Sequence, residues 1–211
     1  MYFLSRDLYF PPAVQASPEG IVAIGGDLSP ERLMLAYHNG IFPWFEDDEP
    51  ILWWSPPERM VLFPNELKVS KSMRNIINRG IFKVTFNTAF REVITNCRNI
   101  KRDGQPGTWI TPDMIEAYCR LNDLGKAKSV EVWQDNELVG GLYGVDLGHI
   151  FCGESMFSKA SNASKIAFIA LVKQLEIAGY RLLDCQVYND HLATLGAREI
   201  YREDFLKILK H

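Results

Sequence analysis

Hydrophobic positions along the chain fall into two regimes that change near residue 60. Before it they come as short aromatic clusters cut by turn formers: FPP, GIVAIGGDLSPERLMLAYHNGIFPWF and EDDEPILWWSPPERMV. One stretch there predicts a helix, over 30–39, with Ser29 as N-cap, Pro30 in the first turn and Gly40 as the stop. The rest reads as loop and short strand, too little for an independent core. The pattern predicts a small N-terminal lobe over 1–60 leaning on a second domain over 61–211.

From Val69 onward helical and strand periods alternate. Ser70 opens a short helix that runs to Arg79, and a strand follows over 82–86. AFREVITNCRNIKR places Phe90, Val93, Ile94, Cys97 and Ile100 on one stripe of a helix over 88–102. Thr111 and Pro112 cap another helix, which Gly125 stops. Strands over 129–133 and 138–145 form a hairpin about Asp135 and Asn136, and HIFCGES reads as a third strand. An apolar helix covers 162–178, YRLLDCQV reads as a strand buried on both faces, and short helices near 190–195 and 202–209 complete an α+β domain.

Composition is ordinary for a globular chain, 47% hydrophobic and 23% charged, and 15 Gly with 11 Pro exclude a fibrous or low-complexity protein. Arg6 and Asp7 break the early apolar stretch, and the longest apolar run, 166–172, is far below the ~20 residues that span a bilayer. A cytoplasmic protein with no membrane partner is expected. Cys97, Cys119, Cys152 and Cys185 form no CxxC and read as buried thiols.

Charge is unevenly distributed along the chain. The net charge is -3, yet residues 68–102 carry nine basic side chains against the single acid Glu92. At ~100° per residue Arg91, Arg98 and Arg102 share a helix face away from the apolar stripe. With Lys68, Lys71, Arg74 and Arg79 just upstream, the block is either a solvated face or a local contact for a polyanion such as one arm of a folded RNA.

Polar residues inside apolar strands carry the candidate chemistry. Asp184 and Gln186, two apart, share a strand face near the strand's end. Either the aspartate bonds a neighbouring loop's amides, or it accepts a proton or fixes an amine, with Gln186 and Asn189 holding the geometry. Glu154, after Gly153, belongs to the same polar pocket or to a structural salt bridge. Trp44, Trp53, Trp54 and Trp109 lie in loop-like segments, where a tryptophan plugs an interface, lines a pocket for a large apolar side chain or stacks a base. The sequence contains no GxxxxGK[ST], post-strand GxGxxG, HExxH or GxSxG, and its four histidines show no ligand spacing. No metal or cofactor is expected, which favours transfer from an already activated donor.

The stretches GGDLSPERL (25–33), GIFPWF (40–45), PILWWSP (50–56), GTWI (107–110), SVEVW (129–133), LVGGLYGV (138–145), GESMFS (153–158), NASK (162–165) and LDCQV (183–187) resemble, in order, the leucyl/phenylalanyl-tRNA–protein transferases. The resemblance covers nearly the whole chain. It implies a small N-terminal domain packed on a GNAT-like acyltransferase domain with a mixed central sheet. It also implies a monomer that moves Leu or Phe, less readily Met, from aminoacyl-tRNA to the α-amine of proteins beginning with Arg or Lys, marking them for N-degron proteolysis. By motif, the side-chain pocket maps onto Tyr37, Trp44, Trp109, Tyr118, Phe151 and Met156. The polar catalytic and positioning residues map onto Glu154, Asp184, Gln186 and Asn189. Lys68 and Lys128 stand where relatives often have histidine, and Tyr201 where they have proline. A CoA-dependent N-acetyltransferase is the nearest rival, but MFSKASNASK lacks the Q/RxxGxG/A pyrophosphate turn. A non-catalytic RNA-binding module would leave Asp184, Gln186 and Glu154 unexplained.

Overall fold

The computed structural model describes residues 2–100 and 108–210. Its N-terminal part contains β1 (Tyr2–Leu4), β2 (Ile21–Gly25), α1 (Pro30–His38), β3 (Phe42–Pro43) and β4 (Leu52–Trp54), the strands ordered β1-β2-β4-β3 in a small sheet. The Ser29 hydroxyl accepts the Arg32 N–H, so α1 starts where its cap predicts. Trp53 is the plug of this lobe: fully buried, it donates its indole N–H to the Gly25 carbonyl at 2.8 Å and packs edge-on against Phe10.

The remaining elements are β5 (Glu58–Leu62), α2 (Lys71–Asn78), β6 (Lys83–Phe86), α3 (Phe90–Asn99), α4 (Pro112–Asp123), β7 (Ala127–Gln134), β8 (Glu137–Asp146), β9 (Ile150–Ser158), α5 (Ala163–Ile177), β10 (Leu182–Gln186), α6 (Asp190–Ala193), β11 (Arg198–Tyr201) and α7 (Arg202–Lys210). Seven strands form a mixed sheet ordered β11-β5-β10-β9-β8-β7-β6, with β9 and β10 its parallel pair, joined across one face by α5. Alternation sorts the strands between two cores: Val61, Cys152 and Leu182 face α3, α4, α7 and the small lobe, whereas Met60, Leu62, Phe151 and Leu183 face α2 and α5. Leu33, Tyr37 and Trp53 belong to the same buried cluster as Phe90, Tyr118 and Phe205, so one core runs through both lobes. The expected boundary near residue 60 falls inside β5, which pairs wholly within the larger sheet.

Three elements differ from the sequence pattern for identifiable reasons. Helix α3 begins at Phe90 because Glu131 accepts the Thr88 and Ala89 amides and the Thr88 hydroxyl; Ile100 is extended, and Arg102 lies outside the described residues. Strand β10 stops at Gln186 instead of running to Val187, since Cys185 is an extra, bulged residue against β5 and Gln186 adopts φ +65°. The sequence pattern lacks β11, a largely polar edge strand that pairs with β5 over Arg198 to Tyr201.

Candidate active site

Strands β9 and β10 pair in register only from Leu182–Ile150 to Asp184–Cys152. Beyond that point they part. Gly153, Glu154, Ser155 and Met156 from one strand, with Cys185 and Gln186 from the other, line a cavity of about 550 Å³. Phe42, Pro43, Trp44, Ile100 and Trp109 form one of its walls, and Leu142, Phe168, Leu171, Leu183 and Leu192 contribute apolar surface from β8, α5, β10 and the α6 region. This volume is in the range that encloses a small organic group, with mostly apolar walls around a few polar ones.

Among the described residues, Glu154 is the carboxylate that faces this space. On β9, Tyr143 pairs with Ser155 and Gly144 with Gly153, which leaves Glu154 as the bulged residue. The bulge requires Gly144, because a Cβ there would collide with the Cys152 carbonyl and the Phe151 ring. Glu154 Oε1 accepts the Tyr37 hydroxyl at 2.7 Å and the Gln186 amide at 2.8 Å; Oε2 accepts the Tyr118 hydroxyl at 3.2 Å. The two tyrosine hydroxyls also lie in contact with each other; with one proton apiece they fill all three contacts only when the Glu154 carboxyl carries a proton of its own. Burial pushes the Glu154 carboxyl up to about 7, although its hydrogen-bond donors oppose that shift. Burial and the adjacent Glu154 hold both phenols well above their usual range, so they remain donors.

Asp184 occupies a different environment. It is fully buried, outside the cavity lining, and its two oxygens accept Arg59 Nε at 2.8 Å and Nη2 at 2.7 Å in a bidentate pair. Oδ1 also accepts the Gln186 backbone N–H at 2.9 Å. This geometry supports the positioning alternative for Asp184 rather than direct proton transfer with a substrate. Asn189 lines the cavity rim, but its side-chain oxygen caps α6 by accepting the Leu192 N–H.

The remaining predicted positions divide. Trp44, Trp109 and Met156 line the cavity, and Trp54 supports Trp44 by donating its indole N–H to the Trp44 carbonyl at 2.7 Å. Tyr37 and Tyr118 sit beneath Glu154 as donors, not as walls of the cavity, and Phe151 packs into the α5-side core. Sequence reasoning missed Arg59, whose signal was a lone cation in an apolar strand, and the cavity residues Leu142, Phe168 and Leu171. Lys68, Lys71, Arg74, Arg79 and Arg91 are exposed and Arg98 is half-buried. They do not share one helix layer: α2 inserts Met73 into the α5-side core while α3 buries Phe90 and Val93 on the opposite face, with edge strand β6 between the two. Arg91 is held bidentately by Glu116 at 2.6 and 3.0 Å. Cys97, Cys119 and Cys152 are buried and Cys185 half-buried, with no disulfide between them.

Among the described residues no helix is long and apolar enough to cross a membrane. Residues 61–210 match the family described as leucyl/phenylalanyl-tRNA protein transferase, and residues 26–57 match the N-terminal domain of the same protein. The leucyl/phenylalanyl-tRNA--protein transferase of Flavobacterium johnsoniae is 68% identical over 100% of this chain and 99% of its own length; that of Flavobacterium psychrophilum is 65% identical over 100% of both. Among solved structures, L-PGS from Bacillus licheniformis aligns at 14% identity and a TM-score of 0.44, over 80% of this chain and 54% of its own. From the two family matches, which together take in most of the chain, and from relatives this similar end to end, the chain belongs to the leucyl/phenylalanyl-tRNA protein transferase family.

Proposed function

We propose that this protein transfers Leu or Phe, less readily Met, from aminoacyl-tRNA to the α-amine of proteins that begin with Arg or Lys, committing them to N-degron proteolysis. The observation that carries the site assignment is Glu154, a carboxyl held near pH 7 at the point where β9 and β10 separate beside an apolar cavity. The reading includes a GNAT-like arrangement of the larger domain, supported by its mixed sheet and the separation of its parallel strand pair, and a monomer working in the cytoplasm.

The donor ester is already activated. The acceptor amine attacks the ester carbonyl carbon, the new C–N bond forms, and the C–O bond to the terminal ribose breaks. Glu154 takes a proton from the attacking nitrogen and returns one to the departing ribose oxygen, a task suited to a group near the working pH. Gln186 holds Glu154 in place. Trp44, Trp109 and Met156, joined by Leu142, Phe168 and Leu171, receive the amino-acid side chain.

A series of aminoacyl-tRNA donors tests this reading. Each methylene in such a pocket is worth ~1–3 kcal/mol, so kcat/KM should fall from Leu and Phe through Val to Ala, and Asp should fail from desolvation. Equal use of Leu-, Ala- and Asp-tRNA would remove the assignment.

The basic side chains around β6 serve the tRNA body. Replacing Arg91 and Arg98 with Ala should raise the KM for full-length aminoacyl-tRNA and reduce the slope of its log–log salt dependence by up to about 2, because fewer counterions are released. The loss should be much smaller with a minimal aminoacyl-adenosine donor, which lacks the arm. Equal losses with both donors would assign these arginines to the fold instead.

A further inference from the structure

We infer that Arg59 is a positioning residue for transfer: clamped at the seam of the two lobes, it fixes Asp184 and, through it, holds Gln186 against Glu154. This rests on the functional reading above. The Arg59 side chain is 1% exposed. Its guanidinium lies between the Phe42 ring of the small lobe, at 4.7 Å, and the Phe205 ring of α7, at 4.6 Å. Nη1 donates to the Gly40 carbonyl at 3.2 Å. That approach depends on glycine, since Gly40 has φ +73° and a Cβ would come within 2.6 Å of Leu206 Cδ2. The fork binds Asp184, and the Gln186 N–H bonded to Asp184 Oδ1 holds a non-glycine residue at φ +65°, a conformation that surrounding contacts must maintain. Gln186 then reaches Glu154 at 2.8 Å.

The clamp is specific for a flat, forked cation. Lysine carries the same charge but cannot bind Asp184 bidentately or stack between both rings. Glu154 faces Tyr37 from α1, Tyr118 from α4, Asp184 and Gln186 from β10, Arg59 from β5 and Cys152 on its own strand. The bond from Gln186 favours the ionised Glu154, so loosening Gln186 moves the carboxyl further upward.

The test compares wild type, Arg59→Lys and Phe205→Leu, the last removing one ring of the clamp while keeping every charge. Two quantities are measured: single-turnover transfer of Leu from Leu-tRNA to an Arg-initiated peptide, and the titration midpoint of Glu154 followed by ¹³C NMR without substrate. Arg59→Lys should slow transfer about 10–100-fold, the scale of a small misplacement, with donor KM within about twofold and the Glu154 midpoint raised. Phe205→Leu should do the same to a smaller extent. A folded variant with wild-type rate and midpoint, or a loss confined to donor KM or thermal stability, would overturn the inference. Because the titration needs no substrate, it judges the coupling even if wild type transferred nothing, a result that would count against the transferase reading instead.

Discussion

Glu154→Gln should slow single-turnover transfer by ~10²–10⁴-fold, the range for loss of a positioned general base, while its stability relative to wild type rises with pH. Both effects follow from a carboxyl raised from 4.5 to about 7. In wild type the rate should climb with pH through about 7 as Glu154 ionises, and then with the acceptor amine, whose ordinary pKa is ~8. The variant should retain only the second rise. For stability the sign is reversed. Between about pH 4.5 and 7 the folded state holds a proton that the unfolded state has released, so stability falls as pH rises across that interval. The amide does not titrate, so the stability of the variant relative to wild type should rise by about 3 kcal/mol between pH 4 and pH 8. Thermal melts at the two pH values, alongside the pH–rate profile, check both effects.

Asp184→Asn should damage the fold more than the chemistry. Removing the carboxylate leaves the Arg59 guanidinium buried without its ion partner. Breaking one side of a buried pair costs about 3–5 kcal/mol, or a fall in Tm on the order of 6–20 °C for a chain this size. The folded fraction should still transfer, slowed less than Glu154→Gln, because Glu154 keeps its hydroxyl donors from Tyr37 and Tyr118. A variant with wild-type Tm and a larger rate loss than Glu154→Gln would return the proton-accepting role to Asp184.

Much of the fold was legible because it follows local rules. Ser29, Ser70 and Thr111 cap α1, α2 and α4 as their positions predict, and Asp135 and Asn136 take φ +50° and +66°, the left-handed pair that a tight hairpin needs. The candidate site was legible only in part because it depends on departures from regular period. Alternation along β10 put Asp184 and Gln186 on one face but could not reveal that Arg59, distant in sequence, would take up the carboxylate. Nor could it reveal the bulges at Glu154 and Cys185 that decide which residues meet the cavity. Helix α5 is apolar nearly all round, so its sequence gave no sign that Phe168 and Leu171 line the cavity. Strand β11 is mostly polar and exposed, and its pairing with β5 is a tertiary choice.

Aminoacyl transfer is read out by single-turnover reaction of labelled Leu-tRNA with a peptide bearing a free N-terminal Arg, run beside the same peptide acetylated and beside one starting with Gly. A new amide should form on the free Arg α-amine, none on the acetylated peptide and little on the Gly peptide, with near-complete loss in Glu154→Gln. No transfer to the Arg peptide by the folded wild-type protein, or equal labelling of all three peptides, would contradict the transferase reading.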